Sequence, residues 1–269
     1  MQRCRAEQDR PCLQSNPLAT GDRKRGQNKM KNKIFEVDVK GLKELQEGKP
    51  KYIIIRELLQ NAMDEPITTC NITLSYEYGK AKIRITDDSP VGFRNLTDAY
   101  TLFADTYKRQ DATKRGRFNF GEKQVICLCD YARIISTTGG VEFNVMMGER
   151  NMLRKKVEAG SEVYVEVRMT QDEYKECYEY CKQIIAPEGV CIKVSYSEPN
   201  NSEKLSVYNI EKKIPHISFN AKLHTELKEN GKMKKVMRET IVNLHKKESI
   251  AYIYEIGIPV CEIDRKSVV

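Results

Sequence analysis

The segment Tyr52–Asp64 constrains this 269-residue sequence more than any other. Ile55, Leu58, Leu59 and Ala62 recur at helical spacing and make one apolar stripe. Glu57, Asn61 and Asp64 stand at i, i+4 and i+7 on the opposite side. Pro66 stops the helix, because the residue before a proline avoids the helical region. A plain solvated face would explain the polar stripe. So would the wall of a pocket, since the rest of the helix is strongly apolar.

The flanking sequence supplies strands. Asn71–Tyr78 and Lys82–Thr86 alternate apolar and polar residues and join around Gly79-Lys80, a hairpin signal. Arg133–Ser136, Glu142–Met146, Leu153–Val157, Val163–Arg168 and Cys191–Tyr196 read as further strands, with Gly139-Gly140 as a turn. Ile34–Asp38 reads as a short strand and Gly41–Gln46 as a short helix. Asn95–Ala104 and Gly121–Asp130 read as helices, and residues 105–117 as a mobile polar loop. Thr170 is the expected N-cap of a helix Gln171–Ile185, with Glu173 completing a capping box. Pro199-Asn200-Asn201-Ser202 reads as a linker. It divides a domain at residues 34–198 from a C-terminal segment at 204–269. Strands are expected there at Ser218–Leu227, Arg238–Leu244 and Ile258–Ile263.

The net charge of +8 invites a nucleic-acid reading, but it is unevenly spread. Residues 1–33 hold nine basic and three acidic residues, and residues 204–247 hold eleven and four. Residues 34–203 are slightly acidic, at −3. The first 33 residues are polar, include Pro11 and Pro17, and show no period, so a disordered tail is expected. Met30 followed by Lys-Asn-Lys-Ile reads as a natural start of translation, with 1–29 an upstream extension. No stretch approaches the ~20 apolar residues of a membrane span, and the N-terminal residues lack the apolar core of a secretory signal. A cytoplasmic protein without membrane contact is expected. The nine cysteines form no CxxC pair and lack zinc spacing, so reduced and mostly buried thiols are expected.

Three further segments carry chemistry. Asp87-Asp88-Ser89-Pro90-Val91-Gly92 ends a strand in an Asp and turns tightly onto a Gly. Lys114-Arg115-Gly116-Arg117-Phe118-Asn119-Phe120-Gly121-Glu122-Lys123 is a glycine-containing loop that feeds a helix. Backbone N–H groups at a helix start, with Lys nearby, suit a phosphate. Gly160-Ser161 opens a strand. Each segment alone also reads as an ordinary loop, and Lys123 as a solvated helix residue.

In this order and spacing, the four segments together resemble the boxes of the GHKL ATPases, the family of DNA gyrase B, large heat-shock chaperones, histidine kinases, MutL and MORC proteins. Arg56–Asp64 resembles the ExxxNAxD box, Asp87–Gly92 the DxGxG box, Gly116–Lys123 the glycine-rich lid box, and Gly160-Ser161 the Gly-Thr box. In wording the boxes are most similar to those of uncharacterised phage and bacterial ATP-binding proteins. The resemblance covers residues 34–197. It implies an α/β fold, an α+β two-layer sandwich of Bergerat type, with a mixed, mostly antiparallel sheet and helices on one face. It also implies a lid, about Phe93–Phe120, that orders over ATP. Two departures bear on the site. Ser89 stands where a glycine is usual and Val91 is inserted before Gly92. Asn119 replaces a middle glycine, and Asn tolerates left-handed backbone better than most residues.

The resemblance also implies roles. Asp87 would accept a hydrogen bond from the adenine amine, Asn61 would hold Mg²⁺, and Glu57 would be the general base toward the attacking water. Asp64 would support Asn61 or an ordered water. Gly116, Gly121 and Lys123 would contact the phosphates, Ser161 would reach the adenine side, and Gly92 and Asn119 would also belong to the nucleotide site. The expected cofactors are ATP and Mg²⁺. The expected function is slow ATP hydrolysis by a conformational switch, with nucleic acid or a protein as client and an ATP-dependent homodimer as the assembly. Two other classes stay open: a non-catalytic ATP-binding module, and a DNA-binding protein indifferent to nucleotide. The C-terminal segment would be a small, basic, transducer-like unit.

Overall fold

A helix needs a cover for its apolar stripe, and an alternating strand offers one. In the computed structural model, which describes residues 37–111, 114–116, 118–246 and 251–263, these surfaces meet in a helix layer over a sheet. Helices α1 (Val39–Glu47), α2 (Ile53–Met63), α3 (Gly121–Leu128) and α4 (Gln171–Gln183) form the layer. α2 lies against the second strand, α4 against the first, and α1 and α2 both contact α3.

The sheet has eight strands: β1 (Thr69–Glu77), β2 (Lys80–Asp87), β3 (Tyr131–Ser136), β4 (Gly139–Asn144), β5 (Glu149–Leu153), β6 (Ser161–Arg168), β7 (Cys191–Glu198) and β8 (Asn201–Asn209). Their order is β5-β4-β3-β6-β2-β1-β7-β8. All neighbours run antiparallel except β1 and β7. Register aligns the apolar residues into rows. Tyr196, Leu74, Ile83, Val165, Ala132 and Phe143 face one another across six strands. Val194, Ile72, Ile85, Val163, Ile134 and Val141 make the next row. Both rows join Ile54, Ile55, Leu58 and Leu59 of α2 in the core. Each fully buried aliphatic side chain contributes about 1.5–3 kcal/mol. The opposite face is polar, with Arg133 bonded to Glu162 at 2.8 Å and Arg84 3.9 Å from the same carboxylate. This is the expected α/β two-layer fold.

Several details differ from the sequence reading. The tail and most of the strand expected at Ile34–Asp38 lie outside the described residues. Asp38 caps α1 through its side chain. The helix expected at Asn95–Ala104 shrinks to a 3₁₀ turn, Leu96–Ala99, capped by Asn95. Phe103 takes a left-handed φ of 55°, which ends any helix there. Within the loop expected to be mobile, Tyr107–Gln110 forms a second 3₁₀ turn, because its basic residues meet the acidic end of α2. Lys108 Nζ lies 3.4 Å from Asp64 and 3.3 Å from Glu65. Thr137-Thr138 makes the turn assigned to Gly139-Gly140. Those glycines open β4, where a Cβ on Gly140 would lie 3.0 Å from the Ile134 carbonyl. β5 starts earlier than expected. The supposed linker is a hairpin turn, with Asn200 at φ 57°, and β8 continues the sheet beyond it. The boundary expected at residues 198–204 therefore falls inside the sheet.

Beyond β8, β9 (Ile217–Glu229) and β10 (Lys232–Leu244) pair as a long two-stranded ribbon. β11 (Tyr252–Glu255) and β12 (Ile258–Glu262) form a second hairpin. That hairpin is anchored to the end of α4. Ile258 is fully buried, Ile185 N–H donates to the Gly257 carbonyl at 2.9 Å, and Tyr180 OH donates to the Pro259 carbonyl at 3.2 Å. Among the described residues no helix is long and apolar enough to cross a membrane.

Candidate functional site

The last residue of β2 is Asp87, opposite Cys70 on β1 and Ser161 on β6. Its neighbours fix it closely. Ser161 Oγ donates to Asp87 Oδ2, and Ser89 N–H donates to Oδ1 at 3.0 Å. Burial pushes the Asp87 carboxyl above the usual carboxylate range, against the lowering effect of these two donors. Asp88 points elsewhere, taking the Thr68 and Thr69 N–H groups at 2.8 and 3.0 Å. Its modest burial opposes ionisation, but those bonds and the Thr68 hydroxyl hold it down at about 2.

The turn after Asp87 is built on two glycines. Gly92 has φ +59°, and a Cβ there would lie 2.4 Å from Ser136 Oγ and 2.5 Å from the Gly160 carbonyl. Gly160 has φ +75°, and a Cβ would collide with the Asp87 carbonyl. Its N–H donates to the Ser89 carbonyl at 2.7 Å. Left-handed backbone and close approach together admit only glycine at both positions. Ser89 Oγ is fully buried beside this turn and has no hydrogen-bond partner among the described residues.

Glu57 and Asn61 project from the polar side of α2 toward the glycine loop and the start of α3. The Arg56 guanidinium donates to Glu57 Oε1 at 2.9 Å. A Cβ on Gly121 would lie 2.2 Å from Glu57 Oε2, so glycine is what lets α3 start against this carboxylate. Asn61 Nδ2 donates to Glu122 Oε1 at 2.9 Å, which leaves Oδ1 to accept. Asn119 has φ 50°, the left-handed backbone foreseen for it. Its amide donates to the Asp98 and Thr101 carbonyls at 3.1 and 2.8 Å.

These parts enclose a cavity of about 260 Å³. Glu57, Asn61, Asp87, Gly92, Gly116, Asn119, Gly121 and Ser161 all line it. Two expected site residues do not. Asp64, 1 % exposed, accepts the Arg115 and Gly116 N–H groups at 2.9 and 2.7 Å. It anchors the glycine loop instead of supporting Asn61. Lys123 is buried, and its ammonium bonds to the Asp98 carbonyl and to Asn119 Oδ1 at 2.8 Å. Burial lowers its pKa despite the adjacent Glu122. It ties the 3₁₀ turn at Leu96–Ala99 to the glycine loop and does not line the cavity. Glu122 also lines the cavity and was given no role by sequence reasoning. It orients Asn61 across 61 positions of sequence, a separation that leaves no local signal.

The donor set suits a nucleotide with a hydrated cation. A single amide oxygen at Asn61 fits Mg²⁺, which keeps its waters and takes its other ligands from phosphates. Among the described residues no group of three or more His, Cys, Asp or Glu is placed to hold a metal ion. No protein-family model matches the sequence, and no curated protein matches it. Among solved structures, the chain is similar to one described as the N-terminal domain of a DNA repair protein. The two are 13% identical with a TM-score of 0.45, over 64% of this chain and 58% of that one. The match thus spans less than two thirds of that structure's length.

Proposed function

We propose that the chain binds ATP with Mg²⁺ and hydrolyses it slowly, as a GHKL-type conformational switch. The observation that carries the reading is the convergence of four separated boxes on one cavity, lined by Asp87, Glu57 and Asn61 together. Asp87, ionised, accepts from the adenine N6 amine, which a guanine cannot offer. Ser161 holds the carboxylate in place. Gly116, Asn119 and Gly121 let the backbone approach the phosphates closely. Glu57 polarises the water that attacks the terminal phosphate. Asn61 Oδ1 offers the protein ligand for Mg²⁺, whose chemistry when bound is to neutralise phosphate charge.

Calorimetry with a non-hydrolysable ATP analogue, paired with phosphate release, tests the reading. Glu57→Ala is expected to keep binding and lose hydrolysis, whereas Asp87→Asn loses binding. Normal binding by Asp87→Asn would overturn the adenine assignment. A second reading, a non-catalytic ATP-binding module, is favoured by the Arg56–Glu57 ion pair, which occupies the proposed base. ATP binding by the wild-type protein without phosphate release would support it. Nucleic acid as a client has less support, because Lys222, Lys228 and Lys234 of the basic ribbon already pair with Glu239, Asp105 and Glu229. Hydrolysis measured with and without DNA tests that role.

A further inference from the structure

Arg115 stands immediately before Gly116 in the glycine loop, lines the cavity, and was assigned no role from sequence. Its side chain is only 8% exposed, and its carboxylate partner among the described residues is Glu255, whose side chain is 56% exposed. Arg115 Nη1 donates to the Glu255 carbonyl at 2.9 Å. Nε lies 3.0 Å from Glu255 Oε2 but off the hydrogen-bond line, and makes no hydrogen bond. A buried guanidinium facing a largely solvated carboxylate is under-compensated. Glu255 ends β11, in the hairpin that Ile258 and Gly257 fix to α4. The lid and the C-terminal part therefore meet at a cation that also borders the cavity. They meet again where Lys228 of β9 bonds to Asp105 at 2.6 Å.

We propose that Arg115 is a shared cation, for which a phosphate group in the cavity and the Glu255 carboxylate compete. This rests on the nucleotide reading above and adds how the site is regulated. Nucleotide binding weakens the tie between the lid and the β11–β12 hairpin. By reciprocity, whatever strengthens that tie lowers nucleotide affinity.

The test is calorimetry on the full chain with ATP and, separately, with adenosine, which lacks phosphates. Glu255→Gln is expected to tighten ATP about 3–10-fold and to leave adenosine unchanged. Arg115→Gln is expected to weaken ATP about tenfold, and adding Glu255→Gln to it changes nothing further. Amide exchange over residues 252–262 should quicken when ATP is added to wild-type protein. Unchanged ATP affinity in Glu255→Gln overturns the proposal, as does an equal shift for adenosine. Wild-type protein that binds neither ligand overturns the nucleotide reading and this proposal with it. Because Glu255→Gln is isosteric and half exposed, that variant decides the matter even if Arg115→Gln fails to fold.

Discussion

Asp87 and Asp88 are adjacent in sequence and opposite in chemistry. Asp87 lines the cavity, whereas Asp88, just past the strand, takes the Thr68 and Thr69 N–H groups where β1 begins. Burial raises the Asp87 pKa, so this carboxyl protonates at a higher pH than an ordinary one. In the proposed role, the ionised form is the stronger acceptor toward adenine. ATP affinity is therefore expected to fall as pH drops through that raised value, and to recover as pH rises. Asp88, held near 2, stays ionised throughout. Calorimetric titrations across the mildly acidic range check this. Gly121→Ala makes a second prediction: the new Cβ displaces Glu57. Hydrolysis should fall about 100-fold. The residues that the sequence reading grouped and that share one cavity are those set by local spacing on α2, at the end of β2 and in the glycine loop. Asp64 and Lys123 were misplaced because their roles depend on partners 44 to 52 and 25 positions away. Helical spacing alone says nothing about which loop will fold back onto a polar side chain.

Element existence followed from periodicity and caps. Thr170 and Glu173 form the foreseen capping box, and Thr170→Ala should destabilise the protein by about 1 kcal/mol in urea unfolding. α2 and the β1–β2 hairpin were legible because alternation and helical spacing reflect which face is buried. The 95–104 segment was not. Its helical pattern is overridden by contacts that only the folded lid provides, such as the Asn119 amide on the Asp98 and Thr101 carbonyls. Gly139 and Gly140 misled for a related reason. They serve close packing against Leu96, Leu153 and the Ile134 carbonyl, a need invisible in a dipeptide that usually marks turns. β8 was missed because Pro199 to Ser202 carries every local sign of a linker.

At the scale of the molecule, one core unites α2, α4 and the inner faces of the sheet. Of the cysteines described, Cys70, Cys127, Cys129, Cys177 and Cys181 are buried free thiols, while Cys191 and Cys261 are exposed. Burial pushes Cys70 and Cys177 up to about 12 and Cys127 to about 11, so little thiolate forms near neutrality. A thiol reagent is expected to label Cys191 and Cys261 in native protein. The five buried thiols should react only on unfolding, as peptide mass mapping would show.

The lone parallel pairing has a consequence for biosynthesis. β1 ends at Glu77, yet its second neighbour, β7, begins at Cys191. At ~5–20 residues per second, a ribosome needs roughly 6–23 s to make what lies between. Through that interval a nascent chain holds a paired β1–β2 hairpin with one edge of β1 bare. Such an edge recruits other strands. The half-made protein is thus the species most in need of a chaperone, and the central sheet can close only after α4 has left the ribosome.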